Sequence, residues 1–387
     1  MRIGICALGA ITQDTGGQTY IINLARTLQE IDRENEFYFF ISDSEGDILP
    51  LKEQNFKKIS VPNTSSNVFR RLAGEHIKLP SLITKYKIDI MYYPNNFASF
   101  YCPVPYVVAI RSMLYYHYPY AIDKTRLWYR KWLTPRSARR AKMIIAPSED
   151  IKKDICNYIK TDPAKVKVIH HGVNTSLFEK EYDERDYADV FNSLGISAPF
   201  LLYVSALWEY KNQDKLILAF KTLVERYNIP HQLVLIGKGL STKDSYEQRL
   251  RNMIKDLELE KRVIMPGFLG HDKLKFLYKK CEIFVFPSSY ESFGNPLFEA
   301  MSAGVPIVAS NVHSFPEMIK DAGILVNPLD VDVLAGAISK ILHDPSLKNQ
   351  LIQAGKERTN HFSWRKCAGE TLTLFNNLIS KHREVVE

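Results

Sequence analysis

Short apolar segments alternate with longer amphipathic stretches along the whole chain, which is the pattern of parallel β-strands joined by helices. In the first half, the segments predicted as strands are Arg2–Leu8, Phe37–Ile41, Ile88–Tyr92, Tyr106–Ile110, Met143–Ala146 and Val166–Ile169. In the second half, they are Phe200–Ser205, Gln232–Ile236, Val263–Met265, Ile283–Pro287, Pro306–Ala309 and Gly323–Val326. The pattern predicts an α/β protein with two doubly wound Rossmann-like domains, whose ligands lie beyond the carboxyl ends of the strands in an interdomain cleft.

The boundary between the two predicted domains lies in a charged segment, at about 179–192, that has no strand pattern. We place the first domain at residues 1–185 and the second at residues 186–362, with a C-terminal helix over 363–387 that is a candidate to cross back to the first domain. A chain of 387 residues is long enough to build two such cores.

Charge and cysteine content narrow the choice of partner and compartment. The formal net charge of +8 favours an anionic partner. A nucleic acid, an anionic membrane surface and a phosphorylated small molecule all fit this charge. Five cysteines without a CxxC pair indicate neither a disulfide framework nor a zinc site, which fits a reducing, cytoplasmic location. Because no uncharged apolar run approaches the roughly 20 residues that span a bilayer, any membrane contact is expected to be peripheral, on the cytoplasmic face.

The segment 287–299 carries the clearest chemical pattern, since it reads as the end of a buried strand, a loop and the start of a helix. Asn295 is predicted as the N-cap of this helix and Pro296 as its first residue. Backbone N–H groups at a helix start are unpaired and lie at the positive end of the helix dipole, so they suit a phosphate or a sugar hydroxyl. The residues expected to supply such groups are Gly294, Asn295 and Leu297.

Two carboxylates frame this helix start, Glu291 in the loop and Glu299 in the helix, with seven residues between them. A carboxylate accepts hydrogen bonds on two oxygens and suits vicinal hydroxyls. We therefore expect Glu299 to bind a ribose diol and Glu291 the hydroxyls of a transferred sugar. Taken alone, the same residues also fit a helix-dipole partner and a solvated loop carboxylate.

The Glu-x7-Glu pattern within Pro287–Pro306 resembles the signature of the retaining glycosyltransferases of the GT-B fold, in the group called family 4. The resemblance spans nearly the whole chain. It implies that Gly17 belongs to a glycine loop near the donor phosphates and the acceptor, and that Lys211 contacts the donor diphosphate, where a cation stabilises the leaving group. The residues that it places beside the nucleotide base are Gly237, Phe268 and Leu269.

The chain departs from the family pattern at two positions. Ser205-Ala206 stands where the family commonly has Gly-Arg, so the second diphosphate cation is missing from its place. Arg111 stands where the family often has a histidine near the reacting sugar. Arginine does not accept a proton, so an acid/base role does not carry over, although Arg111 remains a candidate to bind an anionic group. His117 is a candidate replacement, with a packed or solvent-facing histidine as the alternative.

The resemblance implies retaining transfer of a hexose-type sugar from a UDP-, GDP- or similar donor to a glycan or lipid-linked acceptor, as in cell-surface polysaccharide or glycolipid synthesis. In this reaction Glu291, Lys211 and Arg111 are the candidate catalytic residues, and neither a metal nor a cofactor beyond the donor is expected. Asp330 and Asp332 form an Asp-x-Asp pair, but apolar residues at helical spacing follow, which favours helix capping. The alternatives are a nucleotide-sugar hydrolase or epimerase of the same fold and a non-catalytic sugar-nucleotide-binding module.

A basic and aromatic segment, 124–142, contains eight Lys or Arg residues and no acidic residue, together with Trp128, Tyr129 and Trp132. This composition suits peripheral contact with an anionic membrane or a lipid-phosphate acceptor. The alternative is an amphipathic helix whose aromatic side chains belong to the core and whose charges are solvated. Nucleic acid is not expected as a partner, because no recognised binding module is present.

Overall fold

The computed structural model describes residues 1–8, 16–42, 48–62, 64, 68–239 and 245–386. The chain forms two compact units, one made of Met1–Gly172 with Phe362–Glu387 and the other of Val173–His361. We call them unit 1 and unit 2. Among the described residues, no helix is both long enough and apolar enough to cross a membrane.

Unit 1 is built on a seven-stranded parallel sheet with the order β3-β2-β1-β4-β5-β6-β7. Its strands are β1 Arg2–Cys6, β2 Glu36–Ser42, β3 Phe56–Val61, β4 Ile90–Tyr93, β5 Tyr106–Ala109, β6 Met143–Ala146 and β7 Val166–Val168. Its α-helices are α1 Gly16–Ile31, α2 Val68–Ala73, α3 Leu79–Lys85, α4 Leu114–His117, α5 Lys124–Arg140, α6 Glu149–Asp154 and α16 Trp364–Val386. Short 3₁₀ or π turns lie at Gly74–Lys78, Pro119–Ala121, Ile155–Ile159 and Pro163–Lys165.

The core of unit 1 lies between the sheet and the pair α1 and α16. The apolar face of α1, which consists of Tyr20, Ile21, Leu24 and Leu28, is buried in this core. Cys367, Ala368 and Phe375 of α16 pack into the same cluster. The C-terminal helix therefore belongs to the first unit, because its apolar stripe completes that unit's core.

Unit 2 is built on a six-stranded parallel sheet with the order β10-β9-β8-β11-β12-β13. Its strands are β8 Phe200–Val204, β9 Gln232–Ile236, β10 Val263–Gly267, β11 Ile283–Phe286, β12 Ile307–Ser310 and β13 Gly323–Val326. Its α-helices are α7 Ser176–Glu179, α8 Glu184–Leu194, α9 Gln213–Tyr227, α10 Tyr246–Asp256, α11 His271–Lys280, α12 Asn295–Ser302, α13 Phe315–Ile319, α14 Val331–His343 and α15 Pro345–Thr359. A 3₁₀ turn lies at Glu209–Lys211. In both units, the second and third strands are added on one side of the first strand and the later strands on its other side. This order makes each sheet a doubly wound Rossmann-like sheet.

The strand β3 was not among the predicted strands. Its side chains alternate between buried and exposed, with lysines on the exposed positions, because it lies at the edge of the sheet. The continuous apolar runs that mark strands buried on both faces are absent from such a strand.

The two units divide between Gly172 and Val173 rather than at the expected position 185/186. The charged segment is helical from Glu184 onward and packs on α11 of unit 2. Glu181 and Glu184 each lie 2.7 Å from a lysine of that helix, and the ring of Tyr182 lies 5.0 Å from that of Phe276. The charged side chains of the segment face solvent and its aromatic side chains pack against unit 2. The segment is therefore part of unit 2 and not the linker that its charge suggested.

Candidate functional site

The loops that follow β8, β9 and β10 of unit 2 are joined by backbone hydrogen bonds. Ser205 N–H donates to Ile236 O at 3.0 Å, and Gly237 N–H donates to Gly267 O at 3.0 Å. Gly237 has φ +153°, and a Cβ atom there would lie 1.8 Å from Ser205 O. Only glycine fits this close approach, which holds the strand ends together at the ligand edge of the sheet.

Lys211 lies at the end of the 3₁₀ turn after β8 and is buried, with 6% of its surface exposed. Its Nζ atom forms an ion pair with Oε1 of Glu291. The same Nζ lies 5.1 Å from the ring centre of Tyr210 and 5.6 Å from that of Phe286, so aromatic faces surround the cation. The structure therefore brings together two residues that the sequence predicted separately, one for the diphosphate and one for the sugar.

Asn212 holds the turn that carries Lys211 against the loop that carries Glu291. Its Nδ2 atom donates to Pro287 O and to Ser289 Oγ, both at 2.7 Å. The Ser289 N–H in turn donates to Tyr210 O at 2.7 Å. Because β8 and β11 are neighbours in the sheet, these bonds position the ion pair beyond their carboxyl ends.

The helix α12 begins one residue earlier than predicted. Its N-cap is Gly294, with φ +85°, and Asn295 is the first helical residue, so the prediction of Asn295 as the cap is wrong. The left-handed backbone at the cap favours glycine, which has no side chain to strain there. Leu297 N–H donates to Gly294 O at 3.0 Å within the first turn, which leaves Gly294 and Asn295 as the better candidates to bind an anion.

Glu299 lies on α12 with 15% of its side chain exposed. Its Oε1 atom is 3.5 Å from Nε2 of His271 at the start of α11. Tyr278 of α11 is buried near it, and burial, followed by the negative charge of Glu299, raises the pKa of Tyr278 well above its ordinary value. A glutamate held between a histidine and a buried tyrosine is oriented but still accessible, as a ligand for a diol requires.

Two of the three residues predicted beside the nucleotide base follow β10, and the third, Gly237, follows β9. Phe268 is 62% exposed and Leu269 is half-buried. The N–H of Gly239, which follows β9, donates to Glu247 Oε2 at 3.2 Å. An exposed phenylalanine at a strand end offers a stacking face for a planar ring.

The predicted site residues of unit 1 lie on α1 or near it. Gly17 lies in the first turn of this helix, and Tyr20 one turn further on. Arg111 follows β5, where its N–H donates to Asn96 Oδ1 at 2.6 Å and its Cζ atom lies 4.7 Å from the ring centre of Tyr20. The ring of His171 lies 4.9 Å from that of Tyr20.

Titration in this cluster is shifted by burial. Burial lowers the pKa of Arg111, and burial together with the positive charge of Arg111 lowers the pKa of His171 well below its ordinary value. His171 is therefore neutral at physiological pH, while Arg111 is a partly desolvated cation next to an aromatic face.

Two of the other residues weighed from sequence have structural partners. His117 Nε2 lies 2.6 Å from Asp154 Oδ2, which fits the packed alternative. Asp330 caps α14, since its Oδ1 accepts from Val333 N–H at 3.0 Å, as the helical spacing predicted. Within the described ranges, no group of three His, Cys, Asp or Glu residues is arranged to hold a metal ion.

Sequence reasoning missed the residues that support the site, which are Asn212, His271 and Tyr278. Asn212 directly follows Lys211, and its left-handed backbone, with φ +56°, is a conformation that favours Asn over most residues. Its position next to Lys211 was the one feature of the sequence that pointed to Asn212. Nothing local marks His271 or Tyr278, because their relation to Glu299 depends on how α11 packs against α12.

Two family models match the chain. The model described as "Glycosyl transferases group 1" matches residues 167–358, and the model described as "Glycosyltransferase Family 4" matches residues 15–177. Together they span residues 15–358.

Several characterised and uncharacterised proteins are similar in sequence. An uncharacterised glycosyltransferase of Methanocaldococcus jannaschii is 30% identical over 281 residues, which is 71% of this chain and 70% of that protein. O-antigen chain mannosyltransferase B of Escherichia coli is 32% identical over 46% of each chain. O-antigen chain mannosyltransferase RfbU of Salmonella typhimurium is 29% identical over 55% of this chain and 54% of its own length.

Solved structures share the fold along nearly the whole chain. Sucrose-phosphate synthase from Thermosynechococcus elongatus aligns with a TM-score of 0.77 and 22% identity, covering 98% of this chain and 99% of that one. HepE from Anabaena, solved in complex with UDP-glucose, aligns with a TM-score of 0.73 and 20% identity, covering 96% and 99%. At these identities the likeness shows the GT-B fold alone.

Proposed function

Because this chain belongs to the glycosyl transferases group 1 family, we propose that it moves a hexose-type sugar from a nucleotide-sugar donor to a glycan or lipid-linked acceptor. The observation that carries the proposal is the buried pair of Lys211 and Glu291, held beside the start of α12 at the carboxyl ends of β8 and β11. A cation, a helix N-terminus and a carboxylate at one edge of a sheet match a diphosphate joined to a polyhydroxylated sugar.

In the proposed site, each group has one part of the donor to bind. An ammonium group has three N–H donors, so Lys211 can keep its bond to Glu291 and also donate to a diphosphate oxygen. The N–H groups at Gly294 and Asn295 receive the same diphosphate. Glu299 accepts from the ribose hydroxyls and Glu291 from the sugar hydroxyls.

The proposed reaction retains the anomeric configuration. The bond between the sugar C1 and the diphosphate oxygen breaks, and the acceptor oxygen forms its bond to C1 on the same face. The acceptor proton passes to the leaving diphosphate oxygen. Lys211 and the helix start stabilise the negative charge that develops on the diphosphate as the bond breaks.

We propose that this stabilisation does not need a metal ion, because Lys211 and the helix start supply the positive charge. Turnover in excess EDTA equal to turnover in Mg²⁺ is expected. A loss of activity in EDTA that Mg²⁺ or Mn²⁺ restores would contradict this part of the proposal.

The names of the relatives guide the choice of donor and acceptor. Two of them are O-antigen chain mannosyltransferases, and HepE was solved with UDP-glucose. We therefore propose mannosyl and glucosyl donors as the first to be tested, and cell-surface polysaccharide or glycolipid synthesis as the setting. Its five cysteines are free thiols, which fits the proposed cytoplasmic location.

The test is a transfer assay with the purified full chain. UDP- and GDP-sugars labelled at C1 are incubated with lipid-linked and free glycan acceptors, and the product's anomeric configuration is read by NMR. We expect a product with the donor's configuration, and its loss in Lys211→Met. Rapid donor hydrolysis that no acceptor changes would indicate a hydrolase, and tight donor binding without turnover would indicate a binding module. Either result would overturn the proposal.

A further inference from the structure

Unit 1 carries a group of aromatic side chains on its surface, on α5 and on the segment after β4. Trp128 is 68% exposed and Trp132 is 47% exposed, and their rings are stacked with centres 6.2 Å apart. Phe100 contacts Trp132 edge-on, with ring centres 5.4 Å apart. We call Phe100, Trp128 and Trp132 the tryptophan patch.

These tryptophans are not part of the core. The buried residues of α5 are Leu133, Thr134, Ser137 and Ala138. For Trp128 and Trp132, the alternative that the aromatic residues of this segment are core residues is therefore wrong. Large exposed aromatic clusters are uncommon on soluble surfaces and mark an interaction site.

Basic side chains surround the tryptophan patch. On α5, Lys124 lies one turn before Trp128 and Arg136 one turn after Trp132, so each lies on the same side of the helix as the tryptophan next to it. Arg136 lies with its Cζ atom 6.0 Å from the Trp132 ring centre, and Arg140 Nη1 donates to Phe100 O at 3.0 Å.

The helix that carries the tryptophans is strongly basic. The segment 124–142 contains eight Lys or Arg residues and no acidic residue. Glu75, whose backbone carbonyl accepts from Ser99 Oγ next to Phe100, is buried, and burial raises the pKa of Glu75 to about 8, so that it is mostly uncharged at neutral pH. The exposed acidic residue next to α5 is its N-cap Asp123, whose side chain accepts from the N–H groups of Thr125 and Arg126, so basic groups predominate along this helix.

We propose that the tryptophan patch and its basic rim dock unit 1 on an anionic lipid bilayer. Tryptophan rings prefer the headgroup level of a bilayer, where an apolar face and a polar N–H are both satisfied, and Lys and Arg are attracted to anionic headgroups. The stacked pair lies on one side of a single helix, with a basic residue one turn before it and another one turn after it, which fits a flat surface that both rings can enter. The proposal goes beyond the transfer reaction and does not rest on it.

The test uses the full chain and vesicles of phosphatidylcholine alone or with 30% phosphatidylglycerol. Binding is measured by flotation at about 0.05 M and 0.3 M salt, and insertion by quenching of tryptophan emission with brominated lipid. We expect binding to the anionic vesicles, weakened at least tenfold by the higher salt, and much weaker binding to phosphatidylcholine.

Variants separate the two parts of the surface. Trp128→Ala/Trp132→Ala is expected to lose bromolipid quenching and to bind at least tenfold more weakly. Lys124→Glu/Arg140→Glu reverses two exposed charges of the basic rim, and it is expected to weaken binding at low salt at least twenty-fold, since each cation near the surface contributes about fivefold.

The matched controls lie on unit 2. Leu329→Ala removes an equally exposed apolar side chain, and Lys255→Glu/Lys261→Glu reverses two exposed charges. Both controls are expected to bind as the unmodified chain does. The altered side chains on α5 are exposed, so all variants should fold, which circular dichroism and melting check.

Three results would overturn the proposal. One is no binding of the unmodified chain to anionic vesicles at the lower salt. Another is a tryptophan double variant that binds and is quenched as before. The third is single-stranded nucleic acid that binds more tightly than the vesicles do and displaces the chain from them, since this would assign the patch to a different partner.

Discussion

Removing one partner of the Lys211–Glu291 ion pair should destabilise unit 2 far more than removing a surface charge. In Glu291→Gln, the Lys211 ammonium keeps its buried position but loses its carboxylate. The side chains of the pair are only 8% and 18% exposed, so water cannot replace the lost partner fully.

The expected magnitude follows from this burial. Breaking a buried ion pair by removing one partner costs about 3–5 kcal/mol. Because Glu291 retains some contact with solvent, we expect the lower end, about 3 kcal/mol. For a domain of 150–250 residues this lowers the melting temperature by about 6–12 °C. Lys211→Met/Glu291→Gln removes both charges, so its cost should fall short of the sum of the single variants by about 1.5–3 kcal/mol.

The assay is differential scanning calorimetry of the full chain, with hydrogen exchange of peptides from α9 and α12 to assign the change to unit 2. Glu225→Gln is the control, since it breaks the 3.0 Å pair with Lys221 on the exposed side of α9, which should cost no more than about 0.5 kcal/mol. The reasoning is refuted if Glu291→Gln costs no more than Glu225→Gln, or if the single and double variants are additive.

Three further predictions concern stability. Burial raises the pKa of Glu75 to about 8, so the folded state retains a proton that the unfolded state has lost, and stability falls as pH rises from about 4.5 to 8. At 1.36 kcal/mol per pKa unit, this loss of stability is at most about 5 kcal/mol. Melting temperatures measured between pH 5 and 9 should show that Glu75→Gln removes this pH dependence. The control Glu34→Gln, at an exposed position, should keep it. Gly237→Ala should lower the free energy of unfolding, measured by thermal melting, by at least about 1–3 kcal/mol, because the new Cβ atom would meet a carbonyl oxygen. Gly336→Ala is the control, because Gly336 lies in open space within α14, and it should raise the free energy of unfolding by about 0.5–1 kcal/mol. Asp330→Ala should cost about 1 kcal/mol by urea unfolding and Asp330→Asn much less, and equal costs would contradict the capping assignment.

The strands buried on both faces were predictable, because continuous apolar runs between helical patterns have few other interpretations. The edge strand β3 was not, since its exposed lysines interrupt the run. The start of α12 was misplaced by one residue, because the choice between Gly294 and Asn295 as the cap depends on a left-handed backbone that residue type does not reveal.

The contact between Lys211 and Glu291 was beyond sequence reasoning for another reason. The residues are 80 positions apart, and they meet because β8 and β11 are neighbours in the sheet. Once the strand order is known, their loops fall at one edge, and Asn212 then fixes the distance. The exposure of Trp128 and Trp132 was likewise hidden, since helical spacing alone does not say which side of α5 meets the core.

The most direct test of the central claim, that unit 2 binds a nucleotide sugar through its α12 edge, is the dissociation constant of a nucleoside diphosphate in Glu299→Ala. Calorimetric titration uses UDP or GDP, whichever raises the melting temperature of the unmodified chain more. The control is Glu282→Ala, which removes a carboxylate that precedes β11 and pairs with Lys348. Loss of hydrogen bonds to a charged acceptor should weaken binding about 10–100-fold in Glu299→Ala and leave Glu282→Ala unchanged. Equal affinity in Glu299→Ala and the unmodified chain would contradict the account.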